Sequence, residues 1–190
     1  MYSKKIVITG GPGTGKTSVI NALENEGFYC FHEIIRTMTL EAKKELDESS
    51  LASNPLAFVK DPNAFNNMLF NGRLEQFIEA NSRKENVLFF DRGVPDVLAY
   101  MDYFKQEYPE NYIRTCEDYK YSKIFILPPW KEIYVSDNER LENFEEAVEI
   151  HNHLEKTYTS FGYTTITVPT GTVADRVSFI KKKIDSANKP

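Results

Sequence analysis

The chain has 190 residues, of which 41% are hydrophobic and 27% charged, and a net charge of −5. That balance is ordinary for one soluble globular unit with an adequate core, and it argues against a broad nucleic-acid surface. No apolar run approaches a membrane span, and the first residues carry no signal-like apolar core, so a single cytoplasmic domain over residues 1–190 is expected, without membrane or nucleic-acid partners.

The first expected strand, Lys5–Thr9, leads into Gly10-Gly11-Pro12-Gly13-Thr14-Gly15-Lys16-Thr17. The pattern G-x-x-x-x-G-K-[ST] needs its glycines so that successive backbone N–H groups turn inward around phosphates. Lys16 then reaches the β- and γ-phosphates and the Thr17 hydroxyl ligates Mg²⁺. Ser18 opens a helix whose N-terminus favours anions, and Gly27 ends it. Expected to hold the nucleotide are therefore Gly11, Pro12, Gly13, Thr14, Gly15, Lys16, Thr17 and Ser18. ATP with Mg²⁺ is the implied ligand.

Four more apolar segments read as strands: Phe28–Phe31, Val87–Phe90, Lys123–Leu127 and Thr164–Val168. Helical patterns separate them, which is the signature of a parallel sheet covered on both faces. A helix is expected from Glu33 to about Leu46. Asp47 to Pro62 reads as a loose surface excursion, and Asp61-Pro62 caps a long helix that runs to about Arg83. Another helix follows Pro95. From about Asn138 to Ser160, Phe144, Val148, His151, Leu154 and Tyr158 recur at helical spacing, and the last helix covers Val173 to about Ile184 with Val177 and Ile180 inward. The fold class is thus α/β, a three-layer P-loop NTPase domain.

Ligands of such sheets lie at the carboxyl ends of the strands. There Val87–Phe90 delivers Asp91, a carboxylate placed to hold Mg²⁺ directly or through water, and Arg92, a guanidinium suited to bridge the transferring phosphoryl group and an acceptor. Glu33, after the second strand, is suited to orient or deprotonate an acceptor hydroxyl, and Arg36 lies one helical turn further on. Asp96 either stabilises a first helical turn or accepts hydrogen bonds from the acceptor. On the long helix, Phe70, Leu74, Phe77 and Ile78 form one apolar face, while Arg73 and Gln76 interrupt a second flank of Phe65, Leu69 and Ala80, as in the lining of a small-molecule pocket. Asp137-Asn138-Glu139-Arg140 opens the segment where P-loop kinases carry a closing lid, expected over about 129–160, and Arg140 would bring positive charge to the phosphates. His32, His151 and His153 form no metal constellation. His151 reads as a packed, hydrogen-bonded core residue, and Cys30 and Cys116 as small buried thiols.

These features, with Ala99-Tyr100 and the closing Val168-Pro169 to Arg176, resemble the predicted-ATPase group of P-loop proteins related to the nicotinamide riboside kinase domain of bacterial NAD-regulatory proteins. The resemblance covers nearly the whole chain. It implies strand order 2-3-1-4-5, a nucleotide-kinase-like fold with a helical lid, and ATP-dependent phosphoryl transfer or ATP hydrolysis. It also implies that Thr170 and Gly171 lie near the adenine. A small-molecule kinase working as a monomer or homodimer is the leading expectation, with Lys16, Glu33, Asp91, Arg92 and Arg140 catalytic and Glu33, Arg36, Arg73, Gln76 and Asp96 meeting the acceptor. An ATPase or nucleotide-dependent regulator is the alternative. A GTP switch lacks a guanine-reading Asn/Thr-Lys-x-Asp element after the fourth strand, and a AAA+ motor is disfavoured because arginine, not glutamate, follows Asp91.

Overall fold

The computed structural model describes residues 3–35, 61–134 and 143–185. Within them the strands are β1 (Lys4–Gly10), β2 (Tyr29–Phe31), β3 (Val87–Asp91), β4 (Lys123–Leu127) and β5 (Thr165–Thr167). The helices are α1 (Lys16–Asn25), α2 (Pro62–Glu79), α3 (Val94–Tyr103), α4 (Glu110–Asp118), α5 (Phe144–Ser160) and α6 (Val173–Asp185). The five strands form one parallel sheet in the order β2-β3-β1-β4-β5. Each crossover needs a helix, and helices cover both faces.

The strand sequences explain the two covers. Alternate residues face opposite sides, so an apolar run without alternation is buried on both. Ile6 and Ile8 of β1, Phe89 of β3, and Phe125 and Leu127 of β4 join Val19, Ile20 and Leu23 of α1 and Val177, Ile180 and Ile184 of α6. On the other face Val7, Leu88, Phe90 and Ile124 pack with Phe31, Phe77, Tyr121 and Tyr158. Register places Asp91 beside Ile8 of β1, and Leu127 beside Gly10. The C-terminal strand ends therefore converge on the glycine loop.

Asp61 caps α2 as expected, accepting from the N–H groups of Asn63 and Ala64, with Pro62 in the first turn. The buried stripe of α2 differs from the expected face. Leu69, Phe70, Arg73 and Phe77 are buried, whereas Ile78 is 48% exposed. The stripe runs through Arg73 because that side chain has buried partners, which turns Ile78 toward solvent. α5 is rotated in the same sense: Ala147, Ile150, Leu154, Thr157 and Tyr158 are buried, and Val148 and His151 sit at the edge. Among the described residues the Nδ1 atom of His151 has no hydrogen-bond partner, so this histidine is half-packed rather than satisfied. α5, which makes up the later part of the expected lid range of 129–160, lies along α3 as a core helix. α4 has no counterpart among the elements expected from the sequence, because it buries only Tyr112 and Cys116. Of the helix expected from Glu33, Ile34 and Ile35 are helical and the remainder lies outside the described residues.

Candidate active site

β1 ends at Gly10 and α1 begins at Lys16, so Gly11–Gly15 make the whole turn between a buried strand and a helix N-terminus. Gly13 and Gly15 have φ of +71° and +81°, a region other residues enter only with strain. Space restricts them as well. A Cβ on Gly13 would meet the Tyr134 ring at 2.5 Å, and one on Gly15 would meet the Arg176 guanidinium at 2.8 Å. Gly11, Thr14 and Lys16 are buried, Pro12, Gly13, Gly15 and Thr17 half-buried, and Ser18 exposed. The Lys16 ammonium donates to the carbonyls of Gly10 at 2.9 Å and Gly11 at 2.8 Å. Burial, with Arg92 adding to it, pushes its pKa down to about 7 against the pull of Asp91, Glu33 and Asp96. A dianionic or trianionic phosphate chain is the ligand that such a lysine and such a loop would accept best.

Asp91 closes β3 at 4% exposure, and Thr17 stands in the first turn of α1. A carboxylate and a hydroxyl are hard oxygen donors, and Mg²⁺ shared with nucleotide phosphates needs only one or two such protein ligands. The residues therefore fit that ion, and no group of three or more His, Cys, Asp or Glu that could cage a metal occurs among the described residues.

Beyond Asp91 the chain turns sharply: Arg92 has φ +75°, a left-handed conformation that costs a non-glycine residue about 1–3 kcal/mol. Its surroundings hold it there. Arg92 Nε donates to Glu33 Oε2 at 2.5 Å, and Nη1 to Asp96 Oδ1 and the Gly10 carbonyl, each at 3.4 Å. The guanidinium also lies 5.2 Å from the Tyr100 ring. Glu33 Oε1 accepts from Arg73 Nη2 at 2.9 Å, and Arg73 Nη1 donates to the Gly93 carbonyl at 3.3 Å. Glu33 thus sits between two guanidiniums with its side chain 16% exposed. Burial alone would raise its pKa, but Arg92 and Arg73 outweigh burial and hold the carboxyl below its ordinary range. Gln76 Nε2 donates to the His32 carbonyl at 2.8 Å, which pins the end of β2 to α2.

Asp96 has no exposed surface. It accepts from Thr9 Oγ1 and Tyr158 Oη, each at 2.5 Å, and from the Gly93 N–H at 2.9 Å. These bonds cap α3 and support Arg92. Thr170 is exposed and Gly171 half-buried, ahead of a local cap in which Thr172 Oγ1 accepts the Asp175 N–H at 3.1 Å. Arg36 and Arg140 lie outside the described residues. An open groove of about 930 Å³ runs along α2, lined by Ile34, Asn71, Gly72 and Gln76 among others, and no glycine-loop residue lines it.

Sequence reasoning missed Thr9, Tyr158 and Tyr134 as contributors, and gave Arg176 no role. A faint signal existed for two of them. Tyr158 and Arg176 are polar-headed residues on otherwise apolar helical stripes, with Leu154 before the one and Val177 and Ile180 after the other.

A parallel sheet in this order, a glycine loop closing on a lysine, and an acid–arginine pair at the next strand end define a P-loop nucleotide-binding protein of the nucleoside and nucleotide kinase fold. Residues 5–176 match the family model AAA_28, described as an AAA domain, and the chain belongs to that family. A nucleotide-binding protein of Trichlorobacter lovleyi is 33% identical over 88 residues, 45% of this chain, and the match spans 30% of that relative's length. Among solved structures, deoxyadenosine kinase from M. mycoides with products dCMP and dCDP superimposes with a TM-score of 0.66 at 16% identity, over 96% of this chain and 99% of that one. The NadR protein in complex with NR gives 0.66 at 19% identity over all of this chain and 53% of that one. Thymidylate kinase from Ehrlichia chaffeensis gives 0.57 at 13% identity over the whole of both. At these identities the likeness is one of fold. No helix among the described residues is long and apolar enough to cross a membrane.

Proposed function

We propose that this protein is a Mg²⁺-dependent ATP phosphotransferase that moves the γ-phosphoryl group to a hydroxyl of a small nucleoside-like or other metabolite acceptor. The observation that carries the reading is Glu33, an ionised, partly accessible carboxylate held by Arg73 and Arg92 beside the phosphate loop. A carboxylate in this state accepts hydrogen bonds and donates none, so it selects an O–H over a phosphate monoester. Arg73 and Arg92 are already paired, the first with Glu33 and the second with Glu33 and Asp96, which leaves little to attract a second dianion.

On binding, the phosphates take the Lys16 ammonium from the Gly10 and Gly11 carbonyls, and the loop amides surround them. Thr17 and Asp91 would hold Mg²⁺, which would neutralise phosphate charge. Glu33 fixes the acceptor oxygen in line, with Arg92 steadying the carboxylate. As the acceptor oxygen–phosphorus bond forms, the bond from the γ-phosphorus to the departing ADP oxygen breaks, and the acceptor proton passes by way of Glu33 to solvent. Arg36 and Arg140 would add charge at the acceptor and phosphate ends. Asp96 acts through Arg92, and Thr170 and Gly171 flank the base.

The test is ADP release from the wild-type protein with and without a panel of nucleosides, sugars and vitamins, each offered beside its monophosphate. Stimulation by an alcohol, with a phosphate ester appearing in ³¹P spectra, supports the reading. Turnover that ignores every acceptor and yields only inorganic phosphate refutes it and identifies an ATPase.

A further inference from the structure

α6 buries one stripe, Val177, Ile180 and Ile184, and at the head of that stripe stands Arg176, only 2% exposed. A guanidinium buried among aliphatic groups is costly unless a counter-charge is near. Here none is: among the described residues no carboxylate pairs with Arg176, and its Nε has no hydrogen-bond partner. Burial lowers its pKa, yet a guanidinium stays cationic at neutral pH.

What Arg176 does touch is the phosphate loop. Nη2 donates to the Thr14 carbonyl at 2.7 Å, and Nη1 comes so close to Gly15 that a Cβ there would stand 2.8 Å from it. The Trp130 ring centroid lies 6.0 Å from the guanidinium. The Thr14 carbonyl and the Gly15 N–H belong to one planar trans peptide and point in opposite directions. Tethering the carbonyl to α6 therefore aims the amide away from α6, into the loop. The absence of a side chain on Gly15 is what lets the guanidinium approach.

We propose that Arg176 is a positioning residue of the phosphate cradle: it orients the Thr14–Gly15 peptide toward the phosphates and supplies a buried positive charge that a bound polyphosphate balances. The proposal rests on the reading of Gly10–Thr17 as a phosphate site and adds a residue from the far end of the chain to it. It assigns Arg176 to the phosphates and not to the base.

Calorimetric titration of wild type, R176M and R176K with magnesium tripolyphosphate, magnesium ATP and adenosine tests it. In R176M, tripolyphosphate and ATP should weaken by the same factor, at least tenfold, with adenosine unchanged; R176K should fall between. In turnover the loss should appear in KM for ATP more than in kcat. A folded R176M that binds tripolyphosphate like wild type overturns the proposal and leaves Arg176 a packing residue. A loss confined to adenosine and ATP overturns it by placing Arg176 at the base. Should R176M fail to fold, wild-type tripolyphosphate affinity in both R176K and R176Q overturns it equally. Wild type that binds neither tripolyphosphate nor ATP refutes the phosphate-site reading itself.

Discussion

Asp96→Asn is the most informative single change, because it alters charge and hydrogen bonding without altering volume. The carboxylate has no exposed surface and accepts from Thr9, Tyr158, the Gly93 N–H and Arg92. An asparagine keeps one accepting oxygen but turns an NH₂ toward donors on the other side. One buried donor left unmet costs about 1–3 kcal/mol, and the lost charge-assisted bond to Arg92 adds about 1.5–3. The sum is about 2.5–6 kcal/mol. For a domain of this size each kcal/mol shifts Tm by about 2–4 °C, so thermal unfolding should move down by about 5–24 °C. The effect should extend to function, since Arg92 loses one of the partners that stabilise its left-handed backbone. A Tm within about 2 °C of wild type would refute the claim that Asp96 anchors this junction.

Three further outcomes follow from the site. Glu33→Gln should lower acceptor-stimulated ADP release by about 10²-fold or more while ATP affinity changes little, measured by coupled assay and calorimetry; equal rates would remove Glu33 from the chemistry. Because the Lys16 pKa is depressed to about 7 in the free protein and phosphate restores its proton, binding ATP at pH 8 should take up protons, read from titrations in buffers of different ionisation enthalpy. Affinity should then fall about tenfold per pH unit above 7, and the same depressed value makes the nucleotide-free protein gain stability as pH rises from about 7 toward 10.5. A pH-independent affinity between 7 and 9 would contradict it. Arg140→Ala should reduce kcat more than it weakens ATP binding, and an unchanged kcat would sink the lid assignment.

The phosphate loop, the five strands, their parallel direction and the caps at Asp61 and Gly27 were legible in the chain alone, whereas the order 2-3-1-4-5 came from the family resemblance. Each is local: a glycine pattern, an apolar run of five residues, or a capping residue carries its own physical requirement within a few positions. Glu33, Asp91 and Arg92 could be picked out for the same reason, since strand ends mark the ligand side of a parallel sheet. Their mutual arrangement could not. Arg73 reaches Glu33 across 40 positions, Arg92 across 59, Tyr158 reaches Asp96 across 62 and Arg176 reaches Thr14 across 162. The sequence presents each of these residues singly on its own element, with nothing local to pair it with its distant partner.

The buried stripes of α2 and α5 show the same limit. Hydrophobic spacing predicts which helix is amphipathic, but it assigns a polar residue to the outside by default. In α2 the stripe runs through Arg73, because Glu33 and the Gly93 carbonyl meet its guanidinium inside. Local composition thus determined that this chain makes a P-loop α/β sheet and that the glycine loop follows its first strand. Tertiary packing alone decided which charges are buried, since a charge is tolerated inside only where distant segments bring it a partner.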